Sequence, residues 1–220
     1  MKRVLVTYNM LREGYKELCE KYDVTFPPDG VEAFSYDEVA EIIDQYDALQ
    51  PMFNFKVDKK LLDAGKKLKI VSNYAVGYDN IDVDHATKLG IQVTNTPGAV
   101  TAPTADLALG LMIDVCRKMS EVDRKLRNNT IKVELLGNLG QSLSGRTLGI
   151  IGMGRIGKAL ARRAIACDMK IVYYNRNRVE QNVEEALNAK YLSLDELLKE
   201  ADIVSINAPY TPQTHHIIGE

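Results

Sequence analysis

Short β-branched runs separated by amphipathic stretches fill the first hundred residues. Val4-Leu5-Val6-Thr7-Tyr8 reads as a strand, and Val24-Thr25-Phe26 as a second, after a helical stretch containing Leu18. Ser35 followed by Glu38 is a capping-box signature, and Val39, Ile42 and Ile43 give the helix it opens an apolar side. Further strands are expected at 48–50, 68–71 and 91–94, with a helix carrying Leu61 and Leu62 between the first two. This alternation is met most economically by an α/β fold, a doubly wound parallel sheet with helices on both faces.

Asn95-Thr96-Pro97-Gly98 interrupts the pattern, and a domain change is expected near Pro97, between units 1–97 and 98–220. A single long helix is predicted over 101–127. There Ala108, Leu111, Met112, Val115, Met119, Val122 and Leu126 recur at three- and four-residue steps. Such a stripe needs an apolar partner, a sheet of its own domain, the other domain or another subunit. Its length points to an interface, and a homodimer through 101–127 is expected. Asn128, Asn129 and the glycines Gly137, Gly140 and Gly145 mark an irregular segment, after which a second β-α-β series begins at Thr147-Leu148-Gly149-Ile150-Ile151.

That strand runs directly into Gly152-Met153-Gly154-Arg155-Ile156-Gly157. The string GxGxxG is weak by itself. Here it also opens a helix with Ile156, Leu160, Ala164 and Cys167 on one face, and a second strand follows at 170–174. That is the setting of a dinucleotide-binding turn. Gly152 permits the tight turn, Gly154 lets the backbone approach a pyrophosphate, and Gly157 lets helix and strand pack closely. The unpaired N–H groups and positive dipole end of the helix then face the phosphates. The plain alternative is a tight strand–helix connection without a ligand.

Where an NAD site places Asp or Glu for the ribose hydroxyls, the chain reads Tyr174-Asn175-Arg176-Asn177-Arg178. A carboxylate would repel a 2′-phosphate; Asn175 is neutral, and Arg176 or Arg178 can pair with it. NADP is therefore favoured over NAD. If the arginines are only a solvated loop, Asn175 can still serve the ribose.

Composition removes other classes. Across 220 residues, 28 basic side chains face 30 acidic ones, a net charge of -2 that gives no electrostatic reason to expect nucleic acid or an anionic membrane. No apolar run approaches transmembrane length, the start moves straight into a strand, and no signal-peptide pattern is visible. Cys19, Cys116 and Cys167 are widely spaced, so reduced thiols, no metal site and a cytoplasmic location are expected.

Four segments in order resemble the D-isomer-specific 2-hydroxyacid dehydrogenases, and most of all their glyoxylate/hydroxypyruvate reductase branch. They are the loop 73–82 (NYAVGYDNID), the pair 95–98 and 104–108 (NTPG and TADLA), the turn 148–157 (LGIIGMGRIG), and the pair 202–204 and 208–214 (DIV and APYTPQT). The resemblance implies a flavodoxin-like substrate domain over 1–97 and an NAD(P)-binding Rossmann domain, incomplete here, over 98–220. It implies that Val76 and Gly77 offer backbone N–H groups to a substrate carboxylate, a role that suits a glycine-containing loop. Met52 falls where the family brings a loop over the substrate, though buried packing is the commoner use of a methionine. Thr104 matches a position beside the nicotinamide but also looks like an ordinary helix-start residue. Ala208, Pro209 and Thr214 match the loop running under the cofactor.

For the complete enzyme the resemblance implies hydride transfer between NAD(P)H and a small 2-oxo acid, such as glyoxylate or hydroxypyruvate, with its 2-hydroxy acid as product. The family's catalytic arginine, glutamate and histidine fall beyond Glu220, so no catalytic residue is expected here and negligible turnover is anticipated. His215 and His216 read as loop residues, and His85 as structural. The absence of tryptophan leaves the shape of 130–143 open. Rival readings are a dinucleotide-sensing protein resembling the corepressors built on this scaffold, and a short binder without chemistry.

Overall fold

A computed structural model of the protein describes residues 1–132 and 136–219. The chain divides into two compact units, Met1–Ala99 and one from Val100 onward. Residues 133–135, within the stretch whose shape the resemblance leaves open, lie outside the described residues.

The first unit is a five-stranded parallel sheet. Its strands are β1 (Arg3–Val6), β2 (Asp23–Thr25), β3 (Ala48–Gln50), β4 (Ile70–Ser72) and β5 (Gln92–Thr94), in the spatial order β2-β1-β3-β4-β5. Helices α1 (Lys16–Lys21), α2 (Tyr36–Ile42), α3 (Lys59–Ala64) and α4 (Val83–Lys88) connect them. Alternation along β1 separates the faces. Leu5 joins Val39, Ile43, Leu49, Leu61, Leu62 and Val71 in the main core, while Val4 and Val6 point to Tyr15, Leu18 and Phe26 on the other side. The capping box is present: Ser35 Oγ accepts the N–H of Glu38, whose carboxylate accepts the N–H of Ser35. The strand order reverses between β1 and β3. In open α/β sheets the crevice beyond that point, at the carboxyl ends of the strands, is where ligands bind.

The second unit begins with α5 (Thr101–Arg117) and α6 (Met119–Arg127). A four-stranded parallel sheet follows, built from β6 (Thr147–Ile151), β7 (Lys170–Tyr174), β8 (Ala189–Tyr191) and β9 (Ile203–Ile206) in the order β8-β7-β6-β9. Helices α7 (Arg155–Ile165), α8 (Gln181–Leu187) and α9 (Leu194–Glu200) link the strands. Central β6 is buried throughout. Its Leu148 and Ile150 face α5 and α7, together with Ala105, Met112, Leu160 and Ala164, while Ile151 faces Leu197 of α9. Burying each of these large side chains contributes about 1.5–3 kcal/mol. Gly149 lets α9 close on the strand: a Cβ there would lie 2.7 Å from Leu197 Cδ2 and 2.8 Å from Ala201 Cβ.

The single helix expected over 101–127 is two helices, with Lys118 between them in the left-handed region at φ 55°. In an unbroken helix Ser120 N–H would donate to Cys116 O. Instead it donates to Asp114 Oδ1 at 2.6 Å, and Cys116 O accepts Gln141 N–H at 2.7 Å. Gly140 makes this approach possible, because a Cβ there would lie 2.6 Å from Cys116 O. A tertiary contact thus replaces the helical bond that the pattern called for. The apolar stripe divides as well: Met112 is buried, whereas Leu111, Val115, Met119 and Leu126 are exposed. No helix among the described residues is long and apolar enough to cross a membrane.

Candidate functional site

The glycine turn joins β6 to α7, and its three glycines sit in three different environments. Gly152 has φ 99°, and a Cβ on it would lie 2.6 Å from the backbone nitrogen of Ala208. Conformation and the neighbouring 207–208 backbone both require glycine there. At Gly157 a Cβ would lie 2.4 Å from Gly152 O, so that glycine lets the helix seat against the turn. Gly154 has extended backbone angles, and none of the described residues lies within 4 Å of the place its Cβ would take. Packing among the described residues gives no reason for glycine at Gly154.

Gly154 is also the N-cap of α7 and offers no capping side chain. Among the described residues, the N–H groups of Gly154, Arg155 and Ile156 have no acceptor. Met153 N–H donates to Asn175 Oδ1 at 2.7 Å, which ties the turn to the end of β7. A cleft opens above this turn, where the strand order reverses between β6 and β9. Gly152, Gly154, Asn175, Arg176, Ala208, Pro209 and Thr214 all line it. Thr214 Oγ1 donates to Pro209 O at 2.7 Å and accepts Thr211 N–H at 2.7 Å, closing the 209–214 loop on itself. Exposed Arg155 and half-buried Ile156 belong to the first turn of α7 rather than to the lining, as does buried Gly157. Asn177 and Thr104 are exposed and outside the lining.

The two arginines after β7 are in different situations. Arg176 is exposed and lines the cleft. Arg178 forks the carboxylate of Glu184, its Nε at 2.8 Å and Nη2 at 2.7 Å, and Glu184 also accepts the Tyr173 hydroxyl at 2.5 Å. The hydrogen bonds from Arg178 and then Tyr173 hold the Glu184 carboxyl down to about 2, from an ordinary 4.5. Burial, followed by donation to that carboxylate, pushes the Tyr173 hydroxyl up to about 12, and Glu184 raises the guanidinium of Arg178. Sequence reasoning left the choice between Arg176 and Arg178 open and passed over Glu184, which carries no local motif.

In the first unit, the loop after β4 is pinned from within. Buried Asn73 donates from Nδ2 to Gly77 O at 2.9 Å and to Asn80 Oδ1 at 3.0 Å. Asn80 Nδ2 donates to Met52 O at 3.2 Å and Phe55 O at 2.9 Å. Asn95 Nδ2 donates to Val76 O at 2.7 Å. The carbonyls of Val76 and Gly77 are therefore used internally, while their N–H groups have no acceptor among the described residues. Successive unpaired N–H groups on an exposed loop form a concavity suited to an anion. Half-buried Met52 joins the same structure, forming a parallel bridge with Tyr74 at the carboxyl end of β3. His85 pairs with Asp63 at 2.7 Å between α4 and α3. His215 and His216 are exposed in the last turn, where His215 Nδ1 lies 3.2 Å from Tyr210 Oη.

Residues 109–220 match the family model for the D-isomer specific 2-hydroxyacid dehydrogenase, NAD binding domain. The chain belongs to the D-isomer-specific 2-hydroxyacid dehydrogenases. Members of the family extend the likeness over the first unit too. The chain is 43% identical to a glyoxylate reductase from Thermococcus litoralis, an alignment covering 99% of the chain and 67% of that protein. Among solved structures, the TT0316 protein from Thermus thermophilus superimposes with a TM-score of 0.87 at 36% identity, over 98% of this chain and 67% of its own. A glyoxylate reductase from Paecilomyes thermophila gives 0.86 at 33% identity, over 99% and 68%. The chain spans about two-thirds of the length of the relatives it matches.

Proposed function

We propose that the second unit binds a nicotinamide dinucleotide, with NADP(H) preferred over NAD(H), and that the first unit holds the carboxylate of a small 2-oxo acid. The complete protein would then reduce glyoxylate, hydroxypyruvate or a close analogue to the 2-hydroxy acid. The observation that carries this reading is the open space at Gly154. It is the one glycine of the turn whose Cβ position is open among the described residues, and it stands at a helix N-terminus without a capping side chain, in the wall of a cleft. A diphosphate there would accept the N–H groups of Gly154, Arg155 and Ile156 and meet the positive end of the α7 dipole.

The reading assigns each remaining group a binding task. Arg176 would hold the 2′-phosphate, and Asn175, whose oxygen is taken by Met153, would turn its amide N–H groups to the ribose. Ala208, Pro209 and Thr214 would form the floor of the cleft. Val76 and Gly77 would present N–H groups to the substrate carboxylate, with Met52 beside them. When bound, the dinucleotide supplies the hydride. No residue of this chain is assigned the proton transfer, so binding without turnover is expected of these 220 residues alone. Exposed Leu111, Val115 and Met119 support a homodimer through 101–127.

Titration with NADPH and NADH, followed by nicotinamide fluorescence, tests the reading directly. Saturable binding of both, tighter for NADPH, is expected. If neither coenzyme bound saturably to the folded chain, the proposal would fail.

A further inference from the structure

We propose that Glu184 is a positioning residue for coenzyme selectivity, holding the turn after β7 through Arg178 so that Arg176 stands at the cleft. The proposal rests on the reading of that cleft as an NADP(H) site.

Both ends of the turn are clamped from below. At the start, Tyr191 Oη donates to Asn175 O at 3.2 Å, and Asn175 Oδ1 holds Met153 N–H. At the end, Val179 N–H donates to the Tyr173 hydroxyl at 3.1 Å, and that hydroxyl donates in turn to Glu184. Tyr173 is fully buried in β7 and Glu184 nearly so on α8, so the anchor is part of the core. Arg178 closes the structure by forking Glu184 while its guanidinium lies 5.7 Å from the centre of the Tyr191 ring. Four side chains thus fix residues 175 and 179, and between them Arg176 and Asn177 project as exposed residues.

The chemistry of the two arginines divides accordingly. Arg178 has its charge matched by a carboxylate and two of its donors committed, which leaves it poorly suited to a phosphate. Arg176 lines the cleft, and among the described residues no hydrogen bond or ion pair commits its side chain. A long side chain on a loose turn would lose much of its binding energy to ordering, and a clamped turn lowers that cost. The clamp therefore matters for the ligand that Arg176 holds, a 2′-phosphate, and hardly for a coenzyme lacking one. A purely structural role for Glu184 predicts equal losses for both coenzymes.

The test uses the full chain and its E184Q and R178Q variants, each titrated with NADPH and NADH. The expected result is NADPH binding weakened by about three- to tenfold in both variants, with NADH changed less than about twofold. If the wild-type chain binds the two coenzymes equally, the NADP(H) reading fails, and this proposal with it. If the wild-type chain prefers NADPH and both variants keep the same ratio, this proposal alone is overturned. Tighter NADPH binding by E184Q would also overturn it, since Glu184 would then be withholding Arg178 rather than placing Arg176. Should E184Q fail to fold, R178Q reads the same ratio, because its side chain is largely exposed.

Discussion

Asn175 Oδ1 accepts the backbone N–H of Met153 at 2.7 Å, so the residue that follows β7 also holds the glycine turn in place. An aspartate there could accept the same bond and keep the turn. It would add a negative charge where the 2′-phosphate is proposed to lie. Asn175→Asp should weaken NADPH binding at least about tenfold and leave NADH equal or tighter. Paired fluorescence titrations check this. Unchanged NADPH affinity would place the phosphate elsewhere.

The glycines of the turn should separate binding from folding. Gly154→Ala meets open space among the described residues and costs only the poorer N-cap, so its melting temperature should fall by no more than about 4 °C while both coenzymes bind at least about tenfold more weakly. Gly152→Ala combines a positive φ with a 2.6 Å clash against backbone and should cost about 1–3 kcal/mol or more of stability. Thermal unfolding beside the titrations distinguishes the two. Normal coenzyme affinity in Gly154→Ala would remove the main support for the diphosphate site.

Local signals made most of the architecture legible. The strands at 4–6, 48–50 and 147–151, the Ser35–Glu38 cap and the turn at 152–157 each announce themselves within a few residues. The Ser193–Glu196 capping box that opens α9 carries the same signature and could have been read the same way. What escaped depends on contacts between separate elements. Nothing near Lys118 announces a break, because the contact that replaces the helical bond comes from Gly140 and Gln141, within the irregular segment. The pairing of Glu184 with Arg178 and Tyr173 needs α8 folded back on β7. Asn80 likewise gains its role only when the loops after β3 and β4 converge on one amide.

That convergence gives Asn80 a measurable importance. Its removal leaves Phe55 O without a donor among the described residues, leaves Met52 O with the Phe55 N–H alone, and deprives Asn73 of an acceptor. Asn80→Ala should destabilise the first unit by about 1–3 kcal/mol. Amide hydrogen exchange at 75–79 should accelerate more than exchange in β1 or β3. Equal acceleration everywhere would mean that Asn80 supports the unit generally and does not hold the loop in particular.

The Glu184 cluster should show in the acid limb of stability. Its carboxyl is lowered from 4.5 to about 2 by Arg178 and Tyr173. A depressed carboxyl contributes stability that is complete above its unfolded value and is lost as pH falls through its folded one. The wild-type advantage over E184Q should therefore hold at neutral pH and shrink between about 4.5 and 2. Melting curves for the two proteins across that range measure the gap. A gap that stayed constant to the acid end would show that the carboxylate charge is not what Arg178 and Tyr173 stabilise.

The exposed residues of α5 and α6 carry the last expectation. Val115 is 76% exposed and Leu111 55%, while Met112 between them is buried. A helix with one apolar face packed on its own domain needs no second apolar face for folding. Large side chains left in water gain about 1.5–3 kcal/mol each when another surface covers them, and a second copy of the same stripe would do so symmetrically. Sedimentation of the wild-type chain should therefore show a dimer, and Leu111→Glu with Val115→Glu should give a monomer of unchanged melting temperature, since neither position contributes to the core. A wild-type chain that remained monomeric throughout the micromolar range would sink the dimer. The double variant binding coenzyme as wild type does would show that the second unit needs no partner copy for its cleft.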